Sequence, residues 1–312
     1  GVRLVGSEMC IRDSPWAAEF LHQNAGVSGS KTLRLVKGSH IVVPRLFDHD
    51  DAYLLQAPDR RVIFVIPYER DFTLIGTTDV EIKTLTAPVQ IDPDEIQYLC
   101  NQVNRYFEAQ IVPADVVWSY SGVRPLLEDE ASDASSVTRD YQLEVDANGP
   151  ALLTVWGGKI TTYRKLAEEA ARLICDQLGV NRPDWTSGEA LPGGDFSKWV
   201  ATTDRPDQGF EQFVAALAVE FPELPADLLR RWVRSYGSLV EEFLVRGRPL
   251  GDEIAPGIFE AELRYLRDRE WALTLDDVLW RRSKLGLHLP LGAAERLSQW
   301  WDAENQRTVP RS

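Results

Sequence analysis

Four stretches of the chain carry side chains whose types and spacing could do chemistry. Gly157-Gly158-Lys159-Ile160-Thr161-Thr162-Tyr163-Arg164 follows a short apolar run, Ala151 to Trp156, and precedes a segment with Leu166, Ala170, Leu173, Ile174 and Leu178 on one helical stripe. Two glycines let a backbone approach a ligand with no Cβ in the way, and a helix starting there aims free amides and roughly half a positive charge at it. A phosphate or an electron-rich ring would be stabilised at such a turn; an ordinary strand-to-helix connection with a solvent-facing lysine uses the same residues. Tyr120-Ser121-Gly122-Val123-Arg124-Pro125 puts an arginine at the end of an apolar strand, beside a glycine that opens space and a proline expected to stop the ladder. Arg124 is suited either to grip a carboxylate or phosphate with two N–H groups or to pair with the acidic loop at Glu128 to Glu130. Arg139, next to Asp140, offers the same choice. His40, in Lys37-Gly38-Ser39-His40-Ile41-Val42-Val43, stands at a strand start, where an imidazole serves as a general base near neutral pH or as a hydrogen-bonded structural side chain.

Other chemistries find no support. There is no Gly-x-Gly-x-x-Gly, P-loop or Gly-x-Ser-x-Gly motif, and His22, His49 and His288 lack metal-ligand spacing. The three cysteines, Cys10, Cys100 and Cys175, are odd in number and far apart, which suits a reducing compartment and makes the cytoplasm the expected location. With 34 Lys and Arg against 48 Asp and Glu, the net charge of −14 repels polyanions and argues against nucleic-acid binding. A small anionic substrate therefore needs a local basic pocket. The arginine pair Arg281-Arg282 reads as part of a solvated helical face, because acids and bases balance between Glu260 and Lys284; Thr274 and Asp277 can cap that helix and Gly286 can end it.

The elements that must position these residues can be read from periodicity. Ser39–Val43, Ala52–Gln56, Val62–Ile66 and Phe72–Ile75 are β-branched or aromatic runs punctuated by Pro, Asp and Gly, as in an antiparallel meander. Asp92-Pro93-Asp94-Glu95 opens a helix that keeps Ile96, Leu99, Val103 and Phe107 on one face as far as Ala109. Strands at Val116–Tyr120 and Tyr141–Val145 flank an acidic loop, Glu128 to Ser136, and are expected to close the sheet domain. Trp16, Phe20 and Leu21 suggest a helix over Pro15 to Gln23. After a Pro/Gly-rich linker the period changes to 3.6, with stripes through Phe213, Leu217, Leu228, Trp232, Leu263, Leu266 and Leu279. No run approaches the ~18 apolar residues needed to span a bilayer. Gly6 to Ser14, which holds the only methionine, reads as an artefactual leader rather than gene sequence or a signal peptide.

In series, Lys37-Gly38-Ser39-His40-Ile41-Val42-Val43-Pro44-Arg45, Val65-Ile66-Pro67, Ile75-Gly76-Thr77-Thr78-Asp79, Trp118 to Leu126, Thr138-Arg139-Asp140-Tyr141 and Gly157 to Leu166 closely resemble the FAD-dependent, quinone-linked glycerol-3-phosphate dehydrogenases. Leu191-Pro192-Gly193-Gly194, Tyr236-Gly237 and Leu279-Trp280-Arg281-Arg282 look like that family's helical cap domain. The resemblance implies an α+β chain, a fragment of an α/β flavoprotein that enters the family's sequence at Pro15, after its Rossmann-type Gly-rich turn. The implied organisation is an artefactual leader (1–14), an antiparallel-sheet substrate domain (15–148), the last strand and helix of an incomplete FAD domain (149–182), a linker (183–204) and a helical domain (205–312). It implies oxidation of sn-glycerol 3-phosphate to dihydroxyacetone phosphate, with FAD passing electrons to a quinone, by a protein peripheral at the inner face of the cytoplasmic membrane, with a homodimer as the candidate assembly. In that scheme His40 is the candidate base, Arg124 orients the substrate oxygen and Arg139 binds the phosphate. Lys159, with the Gly157, Gly158, Thr161 and Thr162 amides, faces the flavin, and Lys159 shares the catalytic role. Two competing readings are an amine- or amino-acid-oxidase-like flavoenzyme and a non-catalytic interaction module. The truncated chain is expected to be inactive.

Overall fold

The computed structural model describes residues 33–84, 88–127, 141–146, 151–158, 160–201 and 205–308. The leader, the helix expected over Pro15 to Gln23 and the acidic loop Glu128 to Ser136 lie outside these residues. Two compact units divide the chain at 187/188.

In the first unit six strands form one antiparallel sheet: β1 (Leu33–Pro44), β2 (Tyr53–Gln56), β3 (Val62–Tyr68), β4 (Phe72–Gly76), β5 (Val80–Ile82) and β6 (Trp118–Leu127). β1 is its spine. One edge pairs with β6 from Leu33 to Val42, and the other pairs with β4 at His40 to Pro44 and with β5 at Leu35 to Lys37. Because strand side chains alternate, Ile41 and Val43 share one face with Ile63, Val65 and Ile75. Helix α1 (Pro93–Val103) covers that face with Leu99, Cys100 and Val103, all fully buried. Its start follows from sequence: Pro93 sits in the first turn, and Glu95 reaches back to accept the Asp92 amide at 3.0 Å. It ends at Val103 rather than Ala109, because the Asn104 side chain both donates to and accepts from the Ile111 backbone at 2.8 Å and turns the chain. Phe107 still packs on the core.

Pro125 does not stop the ladder. β6 runs on to Leu127, and among the described residues it pairs with β1 alone, so the missing N–H is tolerated as on an edge strand. Nor does the strand expected at Tyr141–Val145 close this sheet: β7 (Gln142–Asp146) pairs with β8 (Leu152–Trp156) in a separate antiparallel ribbon, where the Trp156 indole donates to Glu144 at 2.7 Å. Past β8 the chain makes one 3₁₀ turn, Ile160–Thr162, and enters α2 (Tyr163–Leu178). Gly179, at φ 66°, ends α2 with the Val180 amide bonded back to the Cys175 carbonyl. Leu166 and Ala170 of the expected stripe are buried, whereas Leu178 is exposed.

The second unit is mainly helical: α3 (Pro206–Glu220), α4 (Ala226–Tyr236), α5 (Glu260–Arg269) and α6 (Ala293–Thr308), with a short hairpin of β9 (Glu253–Ala255) and β10 (Ile258–Phe259) that periodicity did not announce. Phe213, Leu217, Leu229, Trp232, Leu263, Leu266 and Leu297 form its core. The stretch read as a linker, 183–204, is only partly one. Phe196, Trp199 and Val200 pack on this core, with Phe196 stacked on Phe213 at 4.7 Å, so aromatic anchors override the Pro/Gly composition. Gly193 and Gly237, both at positive φ, bring two backbones close enough for Ser238 to donate to the Gly193 carbonyl at 2.9 Å. Arg231 grips the fully buried Glu262 through two N–H groups at 2.6 and 2.8 Å, and Tyr236 donates to the same carboxylate at 2.7 Å. The balanced charges of 260–284 are only partly a solvated face: Arg269 and Arg281 are exposed, Arg281 pairing at 2.9 Å with an Asp277 capped by Thr274, whereas Glu262 is fully buried. No helix of the described residues is long and apolar enough to cross a membrane.

Candidate active site

The sheet face opposite α1 carries the even-numbered residues of β1, Gly38 and His40, with their register partners Gly122, Tyr120 and Gly76. Arg124, opposite Val36 on β6, shares this face. Its guanidinium crosses β1 directly above Gly38 and reaches the segment between β4 and β5. There it donates to Asp79 Oδ1 at 2.7 Å, to Thr77 Oγ1 at 3.2 Å and to the Thr78 carbonyl at 3.3 Å. A Cβ on Gly38 would sit 2.0 Å from Nη2, so the crossing requires glycine there. Among the described residues the carboxylate partner of Arg124 is thus Asp79; the acidic loop 128–130 lies outside them.

His40 leans over Gly76, where a Cβ would meet the imidazole at 2.2 Å, and stacks on Tyr120 with ring centroids 4.8 Å apart and planes 4° from parallel. Along a strand, His40 and Gly38 are about 7 Å apart on one face, so the imidazole neighbours the guanidinium. Burial first, and the Arg124 charge second, hold His40 below the usual imidazole range. It is therefore neutral at pH 7 and able to take a proton. Its Nδ1 is buried and has no hydrogen-bond partner among the described residues. Burial and the neighbouring Glu69 and Tyr120 push Tyr68 up to about 12.

On the covered face the odd-numbered residues of β1 meet α1. Ser39 Oγ donates to Glu95 Oε1 at 2.9 Å, and Thr78 Oγ1 donates to the same atom at 2.5 Å. Lys37 Nζ lies 2.8 Å from Glu95 Oε2 and 2.7 Å from Asp92 Oδ2. Burial would raise the Glu95 carboxyl, but the bonds from Lys37, Thr78, the Asp92 amide and Ser39 override it and hold it below the usual carboxylate range. Lys37 is likewise held above the usual lysine range, against its own burial, by Asp92 and Glu95.

Of the other residues singled out in the sequence, Arg139 and Lys159 lie outside the described residues. Gly157 and Gly158 both take positive φ, 64° and 111°, as a turn with close backbone approach demands. Thr161 and Thr162 belong to the 3₁₀ turn that follows. Behind it, buried Glu168 anchors the start of α2 by accepting from Arg164 at 2.6 Å, Lys165 at 2.9 Å and Thr186 at 2.7 Å. Sequence reasoning assigned no role to Asp79, Thr77, Tyr120 or Glu95. The signal available was a polar Thr-Thr-Asp run directly after a buried strand.

Residues 14–164 match the family model of FAD-dependent oxidoreductases, and residues 185–302 match that of the C-terminal domain of alpha-glycerophosphate oxidase. The aerobic glycerol-3-phosphate dehydrogenase of Escherichia coli is 43% identical over 92% of this chain. The chain belongs to the FAD-dependent glycerol-3-phosphate dehydrogenase family. Within it, the D-erythritol 1-phosphate dehydrogenase of Brucella abortus is 41% identical over 93% of the chain. The glycerol-3-phosphate dehydrogenase of Bacillus halodurans, solved with FAD, superposes with a TM-score of 0.76 at 26% identity, over 95% of this chain and 57% of that one. The chain spans about half the length of the curated relatives it matches, 56% and 57% for these two.

Proposed function

We propose that this chain forms the substrate-binding and cap portion of an enzyme that oxidises sn-glycerol 3-phosphate to dihydroxyacetone phosphate with FAD, its electrons passing on to a quinone. The observation that carries the reading is the pairing of a neutral His40, whose buried Nδ1 has no hydrogen-bond partner among the described residues, and the Arg124 guanidinium on the sheet face opposite α1. The residues fit a flat ring: Gly122 has open space where a Cβ would stand, beside the Arg124 guanidinium over Gly38 and the His40 imidazole over Gly76. The amides of Gly157 to Thr162 and Lys159 are assigned to the flavin, and Arg139 to the substrate phosphate.

When bound, FAD supplies a two-electron acceptor for the C2 hydride. His40 takes the proton of the C2 hydroxyl as the carbon–oxygen double bond forms, and the low imidazole basicity set first by burial and then by Arg124 keeps it unprotonated beforehand. Arg124 stabilises the oxygen as it gains negative charge, and is itself held still by Asp79 and Thr77. Membrane contact from the cytoplasmic side and a homodimer belong to the same proposal.

The test is an anaerobic titration of the chain, extended to its relatives' length and loaded with FAD. Glycerol 3-phosphate is expected to bleach the flavin absorbance at lower concentration than erythritol 1-phosphate. Bleaching by glycine or another amino acid instead would establish the oxidase reading, and an extended chain that takes up no flavin would establish an interaction module.

A further inference from the structure

We infer that Glu95, on the covered side of the sheet, is the positioning residue that fixes His40 and Arg124 in one geometry. The inference rests on the proposed role of that pair. Glu95 touches neither of them, yet its carboxylate gathers the three pieces of backbone that carry them.

On β1 it accepts from Ser39 and Lys37, which flank Gly38 and immediately precede His40. In the 77–79 segment it accepts from Thr78, whose neighbours Thr77 and Asp79, with the Thr78 carbonyl, are the acceptors for Arg124. Towards β6 the link runs through Ser39, because its single hydroxyl proton goes to Glu95; the 2.8 Å contact with Ser121 then has Ser121 donating. The segment matters because the ladder is interrupted there. Between the β4 and β5 pairings, Ser39 donates its amide to Thr78 Oγ1 at 3.0 Å and accepts from the Thr78 amide at 3.3 Å. The Thr78 hydroxyl thus replaces a ladder bond on one side and is oriented by Glu95 on the other. Without that acceptor Thr78 keeps a buried donor unsatisfied, Ser39 can turn its hydroxyl only to Ser121, and Lys37 keeps only Asp92 and the Gln90 carbonyl, so the cheapest relief is to let the 77–79 segment move and water enter.

A role in positioning and a role in bare electrostatics push His40 in opposite directions. Deleting a carboxylate and leaving Lys37 with Asp92 alone makes the site more positive, which lowers the imidazole further. Loosening the 77–79 segment lets the guanidinium leave and water reach the ring, which raises it towards about 6.5. The experiment is an NMR titration of His40 in the 312-residue chain, needing neither flavin nor substrate, so its failure is distinct from failure of the proposed activity. Glu95→Ala is expected to raise the His40 midpoint by about half a unit or more, with Glu95→Gln closer to the parent because its amide oxygen still accepts from Ser39 and Thr78. Thr78→Val, nearly isosteric and charge-neutral, is expected to shift it the same way, and it decides the question if Glu95→Ala does not fold. Tyr98→Phe, which removes a hydrogen bond from the same helix to Asp59, is expected to leave it unchanged. A midpoint lowered or unmoved in folded Glu95→Ala and Thr78→Val overturns the inference, as does an equal rise in Tyr98→Phe.

Discussion

Gly38→Ala separates the work of Arg124 from the stability of the sheet. The new methyl would lie 2.0 Å from Arg124 Nη2, 2.8 Å from Thr77 Oγ1 and 3.0 Å from Arg124 Cζ. Gly38 is not among the positive-φ glycines, so its backbone accepts alanine and the guanidinium must swing away. What folding loses is small. The Arg124–Asp79 pair has side chains 36% and 39% exposed, which after solvent screening leaves about 0.5 kcal/mol. Alanine in place of glycine inside a strand returns about 0.5–1 kcal/mol. The melting temperature should therefore stay within about 4 °C of the parent. Catalysis loses far more, because removing one well-placed donor to a developing oxyanion typically costs about a hundredfold or more in rate. Gly122→Ala is the matched control. It stands directly opposite Gly38, its added methyl meets nothing within 4 Å, and Arg124 stays put. It should leave both the melting temperature and the Arg124 side-chain NMR signal unchanged, and weaken only a ligand lying flat on that face. Steady-state kinetics with glycerol 3-phosphate on the chain extended to its relatives' length supply the comparison. A Gly38→Ala protein whose Arg124 signal has moved while kcat/KM stays within twofold of the parent refutes the assignment of Arg124 to the reacting oxygen.

Three further outcomes are expected. Asp277 is held at about 2 chiefly by the Thr274 amide, together with the Thr274 hydroxyl, the Leu273 amide and Arg281; a depressed carboxyl stabilises fully above its unfolded value near 3.9 and loses that contribution as pH falls towards 2. Urea melts of Asp277→Asn at pH 5 and pH 2.5 should accordingly differ less than those of the parent. Glu262→Ala leaves the mostly buried Arg231 guanidinium without its carboxylate and should cost the helical unit about 3–5 kcal/mol in denaturant unfolding followed by tryptophan fluorescence, with a loss below about 1 kcal/mol showing that the pair is not needed. Because the 312 residues contain no Gly-x-Gly-x-x-Gly turn for the FAD pyrophosphate, the chain alone should emerge from gel filtration with much less than one FAD per molecule, whereas the extended chain should retain it.

The strands legible in the sequence were continuous β-branched or aromatic runs bounded by Pro, Asp and Gly. Val62 to Ile66 and Phe72 to Ile75 read as strands because one face of each is fully buried under α1. The Asp92-Pro93-Asp94-Glu95 start was legible because capping chemistry is local. What escaped was set by partners distant in sequence. The end of α1 depends on Asn104 meeting Ile111, and the passage of β6 through Pro125 depends on β6 being an edge. In the site, His40 and Arg124 were recognisable as residue types, and the resemblance told which chemistry to assign them. Asp79 was not recognisable, because a surface carboxylate gains meaning only once an arginine 45 residues away crosses a strand to reach it.

The placement of the site follows from the period of one strand. β1 alternates Lys37, Ser39, Ile41 and Val43 towards α1 with Gly38, His40 and Val42 towards the opposite face. One face thus carries the anchoring polar atoms and the core, while the other carries the imidazole and the gap through which the guanidinium passes. A slip of one residue would exchange them, burying His40 against Leu99 and Val103 and exposing Ile41. Three separate features forbid the slip. Gly38 can lie only beneath Arg124, Gly76 only beneath His40, and Ser39 only where Thr78 can complete its backbone bonds and Glu95 can take its hydroxyl. The contacts that fix the register are therefore the ones that align the candidate catalytic groups, so a variant that misaligns His40 with Arg124 through β1 should also broaden the NMR signals of Ile41 and Val43, while one acting through the Arg124 side chain alone should not.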